Sequence, residues 1–154
     1  MELSEILSLG SVHSSLKVQS KKRLFQEISN AASVQFGFDK SATLNALLTR
    51  ESLGPTGVGR GIAIPHARLA ECETVCGMFF SLDMPVDFEA VDRRPVDLVF
   101  VLFAPEAAGA EHLKALAQVS RTLRSEQTCT KLRSTDDPQA VYSILCVDPA
   151  SQAA

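Results

Sequence analysis

At 154 residues the chain fits one domain, 1–154, long enough to bury a single well-formed core. A net charge of −3 and a pI near 5.6 exclude a general nucleic-acid binder, because no basic face offsets the acidic total. No apolar stretch reaches membrane-spanning length, and no basic start precedes an apolar run at the N-terminus. A cytoplasmic protein without direct membrane insertion is therefore expected.

Residues 13–18 read as a weak first strand. From Ser20, the apolar residues Leu24, Phe25, Ile28, Ala32 and Phe36 recur at helical spacing, with Ser20 as N-cap and Gly37 as the stop. The run Lys21-Lys22-Arg23 reads as decoration of the first turn of that helix on its solvated side. A second helix follows, capped by Asp39, faced by Leu44, Leu47 and Leu48, and ended by Gly54-Pro55. A glycine-rich loop over 54–61 leads into a short buried strand, Ile62-Ala63-Ile64.

Residues 74–82 are rich in β-branched and aromatic side chains and predict a strand. Residues 85–95 read as a loop with a short extended piece at 86–88. The nearly continuous apolar run over 96–103 predicts a central strand covered on both faces. A loop over 104–110 precedes a helix over 111–126. A helical turn around Leu132 follows, and Asp137-Pro138 opens a last helix through Cys146. The tail, 148–154, carries little pattern and is expected to be loose. The four cysteines, Cys72, Cys76, Cys129 and Cys146, lack a repeated close spacing and are expected as free, buried thiols. Strands and helices alternate in blocks, so the chain is α/β, one sheet with helices on both faces and not purely parallel.

The chemistry concentrates in Gly57-Val-Gly-Arg-Gly-Ile-Ala-Ile-Pro-His66. Glycines allow tight turns and close approach to an anion, and Pro65 fixes φ just before His66. The loop lacks the lysine of a phosphate-binding P-loop. The third glycine of a dinucleotide fingerprint would fall on Ile62, and the loop opens a strand instead of a helix. Zinc ligation by His66, Cys72, Cys76, His112 and another cysteine has only residue type in its favour. A nucleophilic imidazole remains. Neutral histidine offers a free nitrogen to phosphorus, and the transferring group needs cationic or N–H donors around it. Arg50, just before the glycine loop, is a natural clamp. His112 lies in the first turn of a helix, whose N-terminus favours anions, although by residue type alone it reads as a surface helix residue, as Arg50 reads as a solvated cation.

The stretch from Arg50-Glu51 through Gly57, Gly59 and Gly61 to His66 resembles the active-site signature of the fructose/mannitol-type enzyme IIA domains of the phosphoenolpyruvate-dependent phosphotransferase system. Pro95-Val-Asp97-Leu-Val-Phe-Val-Leu and Glu111-His112-Leu113 extend the resemblance, which covers roughly 16–145. It implies a three-layer α/β/α domain with a mixed, roughly five-stranded sheet, and a phosphotransferase that acts as carrier more than turnover enzyme. It implies that His66 is the phosphorylated residue, with Arg50 and His112 as its catalytic neighbours. Thr56, Gly57 and Gly59 match the loop beside it and are read as phosphate-binding donors. No metal, nucleotide or other cofactor is required.

Within the family the chain resembles the free-standing nitrogen-regulatory branch. That implies an HPr-like phosphocarrier protein as donor, and regulatory targets such as potassium-transport or sensor-kinase proteins. Two alternatives stand beside it. One is a sugar-specific enzyme IIA that passes phosphate to a separate IIB; the other is a binding domain that regulates by contact alone.

Overall fold

Ser20 and Gly37 fix the ends of the first long helix, α1 (Lys21–Phe36). The Ser20 hydroxyl accepts the Arg23 N–H, filling a donor that every helix start leaves open, and Gly37 closes the helix in the left-handed conformation. The next helix, α2 (Lys40–Ser52), begins in the same way, with the Asp39 carboxylate accepting the Ala42 N–H. The computed structural model describes residues 2–146. The expected loose tail at 148–154 lies outside the described residues.

The apolar run predicted as a central strand is β6 (Val96–Pro105). It pairs antiparallel with β5 (Cys76–Val86), and parallel with both β3 (Ile62–Ala63) and β4 (His66–Leu69). β1 (Val12–Leu16) runs parallel to β5 on its other side, and β2 (Gly57–Gly59) pairs antiparallel with β3. The described residues thus form a mixed sheet of six strands. β3 lies opposite Leu98 and Val99 of β6, while β4 lies opposite Leu102 to Pro105. Six strands therefore fill five positions, and one position is interrupted at Ile64-Pro65. Proline has no N–H to continue the ladder. Its carbonyl still accepts the Leu102 N–H at 3.0 Å, which keeps His66 in register with β6.

Both faces of β6 are covered. Val99, Val101 and Phe103 pack against α1 and α2 with Leu24, Phe25, Ile28 and Leu47. Leu98, Phe100 and Leu102 pack against α3 (Ala110–Arg124), α4 (Glu126–Arg133) and α5 (Pro138–Cys146). This alternation is the two-residue period of a strand between two helical layers, so the domain is three-layer α/β/α.

Some boundaries differ from the sequence reading. The glycine-dense stretch 57–59 is a strand, not loop, because Ala63 and Ile62 pair with it. β5 runs on to Val86, beyond the predicted end at 82. The single helix predicted over 111–126 breaks at Ser125. There the Ser125 hydroxyl accepts the Thr128 N–H and starts α4, which contains Leu132. At the β2–β3 turn, Gly59, Arg60 and Gly61 all take positive φ. The Arg60 guanidinium donates to the carbonyls of Arg124 (2.9 Å) and Leu123 (3.4 Å), filling acceptors left open at the end of α3.

Candidate functional site

His66 stands at the first position of β4, directly after the proline that interrupts the strand. Its Nδ1 lies 2.9 Å from the Ile64 carbonyl, and its Nε2 lies 3.2 Å from Nε of Arg50. A carbonyl only accepts and a guanidinium N–H only donates. The two contacts together fix the tautomer: Nδ1 carries the proton and Nε2 presents its lone pair. The imidazole is held neutral. Burial pushes its pKa below the ordinary value of 6.5; the Ile64 carbonyl opposes this, the Arg50 guanidinium adds to the lowering, and Glu51 opposes.

Arg50 comes from the last turn of α2. Its Nη1 donates to the Gly54 carbonyl at 3.0 Å, so the guanidinium is tied both to the bend after the helix and to His66. Across the site, the His112 ring centroid lies 5.5 Å from that of His66, at an interplanar angle of 52°. His112 is only 5% exposed, and its Nδ1 is buried without a partner. Burial lowers its pKa first, and the nearby His66 and Arg68 lower it further. It occupies the first turn of α3, whose N-cap, Gly109, offers no side-chain cap. The helix therefore turns open N–H groups toward its N-terminal end.

The three residues expected to act together are thus brought together. The site lies in a cleft of about 620 Å³ between α2 and α3, along β4. Arg68, two residues beyond His66, also lines this cleft and donates to the Glu106 carbonyl. Leu53 and Leu113 line it too and are 80% and 64% exposed, an apolar rim around a cationic centre.

Thr56, Gly57 and Gly59 are arranged differently. Thr56 is buried, and both its donors are engaged: its N–H reaches Glu51 Oε1 at 2.9 Å and its hydroxyl reaches Oε2 at 2.6 Å. Gly57 pairs with Ala63 in β2, and Gly59 pairs with Ile62, farther back along the strand from His66. Glu51 itself went without a role in the sequence reading. The available signal was an acid adjoining the clamp arginine, five residues before a threonine across a Gly-Pro bend. Lys21, read as solvated decoration, instead reaches Glu51 Oε1 at 2.8 Å and lies over the Phe88 ring at 5.0 Å.

The cysteines are free; Cys72 and Cys129 are buried, and Cys76 and Cys146 half-buried. The Cys72 thiol donates to the Thr74 carbonyl, and the Cys129 thiol to the Leu123 carbonyl. Among the described residues no group of three or more His, Cys, Asp or Glu side chains is placed to hold a metal ion. Nor is any described helix long and apolar enough to cross a membrane.

Known proteins resemble the chain over nearly its whole length. The family model "Phosphoenolpyruvate-dependent sugar phosphotransferase system, EIIA 2" matches residues 5–146. A nitrogen regulatory protein of Bradyrhizobium diazoefficiens is 46% identical over 153 residues, covering 99% of this chain and 100% of that protein. The crystal structure of nitrogen regulatory protein IIA-Ntr from Neisseria meningitidis superposes with a TM-score of 0.87 at 35% identity, over 93% of this chain and 98% of that one. The crystal structure of IIA mannitol from Escherichia coli shares the fold, with a TM-score of 0.75 at 22% identity, over 90% of this chain and 98% of that one.

Proposed function

This chain belongs to the EIIA 2 family of the phosphoenolpyruvate-dependent phosphotransferase system, and we propose that it is a regulatory, nitrogen-type enzyme IIA that carries a phosphoryl group on Nε2 of His66. The observation that carries this reading is the neutral His66 tautomer, with its Nε2 lone pair facing Arg50 in an open cleft.

The donor is an HPr-like phosphocarrier whose own histidine bears the phosphoryl group. Its surface docks on the apolar rim of Leu53 and Leu113. The His66 Nε2 lone pair then attacks phosphorus in line with the donor's P–N bond. One P–N bond forms as the other breaks, and the donor nitrogen recovers its lone pair. Each imidazole keeps its single N–H throughout, so no external proton is needed. Arg50 Nε must release Nε2 as phosphorus approaches. Still held through Nη1, the guanidinium turns onto the phosphoryl oxygens and neutralises their charge. His112 faces the same group from α3, its ring 5.5 Å from that of His66. Thr56 contributes through Glu51, and the glycines through the path of the backbone. The reaction takes place in the cytoplasm and asks for no metal or nucleotide. Its regulatory outputs, such as potassium-transport or sensor-kinase proteins, are read by contact with the same face in its two phosphorylation states.

His66→Ala removes the only nucleophile in this scheme. The expected result is complete loss of labelling from phosphoenolpyruvate, enzyme I and an HPr-like carrier; continued labelling of this variant would defeat the assignment. The phosphorylated wild type should also fail to pass its label to fructose- or mannitol-type IIB proteins. Efficient transfer there would make it a sugar-uptake carrier instead.

A further inference from the structure

The Arg50 guanidinium terminates a long, flexible side chain, yet the proposed chemistry needs it at one place. It is fixed by two contacts, to His66 Nε2 and to the Gly54 carbonyl. The first is surrendered during transfer, so aim then depends on the second, and therefore on the bend over 53–56. Three of that bend's ties end on one residue. The Glu51 carbonyl accepts the Gly54 N–H at 3.2 Å, Glu51 Oε1 accepts the Thr56 N–H at 2.9 Å, and Oε2 accepts the Thr56 hydroxyl at 2.6 Å.

Glu51 is itself held from a different helix. Its side chain is 7% exposed, and a carboxylate buried to that extent needs both a counter-charge and hydrogen bonds. Lys21 of α1 supplies the charge at 2.8 Å. Lys21 is seated in turn over the Phe88 ring, which packs edge-on against Phe25 in the core. Compensation also matters for the reaction, because an unneutralised carboxylate one residue from Arg50 would compete with a phosphoryl group for that guanidinium.

We propose that Glu51 is a positioning residue for phosphoryl transfer: clamped by Lys21 and Thr56, it makes α1, α2 and the bend over 53–56 one unit that aims Arg50 at His66 Nε2. The proposal rests on the reading of His66 as phosphoryl acceptor. Thr56, expected from sequence to touch phosphate, acts here one step removed.

The test uses the full chain with Thr56→Val, Thr56→Ser and Glu51→Gln, each checked for its folded NMR spectrum. His66 is followed in two ways: by its imidazole 15N shifts through a pH titration, and by the initial rate and final extent of labelling. The charges facing His66 are Arg50 and Glu51 from α2, Arg68 from β4 and His112 from α3. Thr56→Val changes none of them. Positioning predicts that Arg50 withdraws in Thr56→Val, so the His66 titration midpoint rises. The initial rate falls roughly tenfold, the order expected for one lost hydrogen bond, while the final extent is unchanged. Thr56→Ser restores both. In Glu51→Gln, loss of the negative charge alone would lower the midpoint, whereas loss of aim raises it. A midpoint and rate unchanged in Thr56→Val, or a lowered midpoint in Glu51→Gln, overturns the proposal; if one variant fails to fold, the other decides. If the wild type takes no label while a control enzyme IIA does, the reading of His66 as acceptor has failed, and the titrations still decide whether Glu51 aims Arg50.

Discussion

In the proposed transfer, Arg50 Nε and an incoming phosphorus atom compete for one lone pair on His66. That competition sets what single substitutions do. Arg50→Ala frees Nε2 but removes the cation that must meet the phosphoryl oxygens. Its labelling rate should drop on the order of a hundredfold, as when one preorganised donor to a developing anion is lost, with the fold intact. A rate equal to the wild type would show that Arg50 is not the clamp. The protonation state follows a definite sign. Burial and Arg50 pull the His66 pKa below 6.5, so the nucleophilic neutral form persists as pH falls through 6.5 and is lost only lower. A 15N titration of His66 should give a midpoint below 6.5, and a midpoint above it would contradict this electrostatic picture. His66 was legible from its glycine-rich, Ile-Pro lead-in, whereas the placing of Arg50 and His112 beside it was legible only through the family resemblance. Glu51 and Lys21 were not: each is an ordinary charged helix residue in the chain, and only the packing of α1 on α2 makes them partners.

Elements were readable where side chains mark their own ends. The Ser20, Asp39 and Gly37 caps place α1 and α2 to within a residue, since each cap meets a local backbone group. Ser20→Ala should therefore cost about 1 kcal/mol in denaturant unfolding. A loss near zero would mean that core packing alone sets the start of α1. Strands made by partners elsewhere in the chain were harder to see. Residues 57–59 look like loop because glycine disfavours strands, and only pairing with β3 makes them one. The break at Pro65 likewise divides one sheet position between β3 and β4, which local pattern does not foretell. Gly77 in β5 faces the tightest constraint on the sheet. A Cβ there would lie 2.7 Å from the Phe100 ring and 3.3 Å from the Val101 carbonyl, both fully buried. Gly77→Ala should destabilise by about 1–3 kcal/mol through overpacking. Unfolding of that variant at wild-type denaturant concentration would show that the layer can give.

Across the whole molecule, all three histidines are depressed below 6.5, with burial the leading cause in each. His13 is stacked on Phe80 with its Nε2 buried and unpartnered, and His112 has an unpartnered Nδ1. The unfolded chain therefore takes up protons on its histidines at higher pH than the folded one. Their contribution to stability is complete above about 6.5 and is lost as pH falls below it through the folded values. Urea unfolding at pH 7 and 5.5 should show lower stability at pH 5.5; equal or greater stability there would contradict it. The three-layer fold was readable from alternating blocks of strand and helix, because each face of β6 needs a helical cover. In the proposed function this scaffold presents one nitrogen, Nε2 of His66, to phosphorus. The most direct test is 15N and 31P NMR of the chain after incubation at neutral pH with phosphoenolpyruvate, enzyme I and an HPr-like carrier. A phosphorus coupled to Nε2 of His66 is the predicted result. Phosphate on Nδ1 or on another residue, or no phosphate while a control enzyme IIA is labelled in the same mixture, would contradict it.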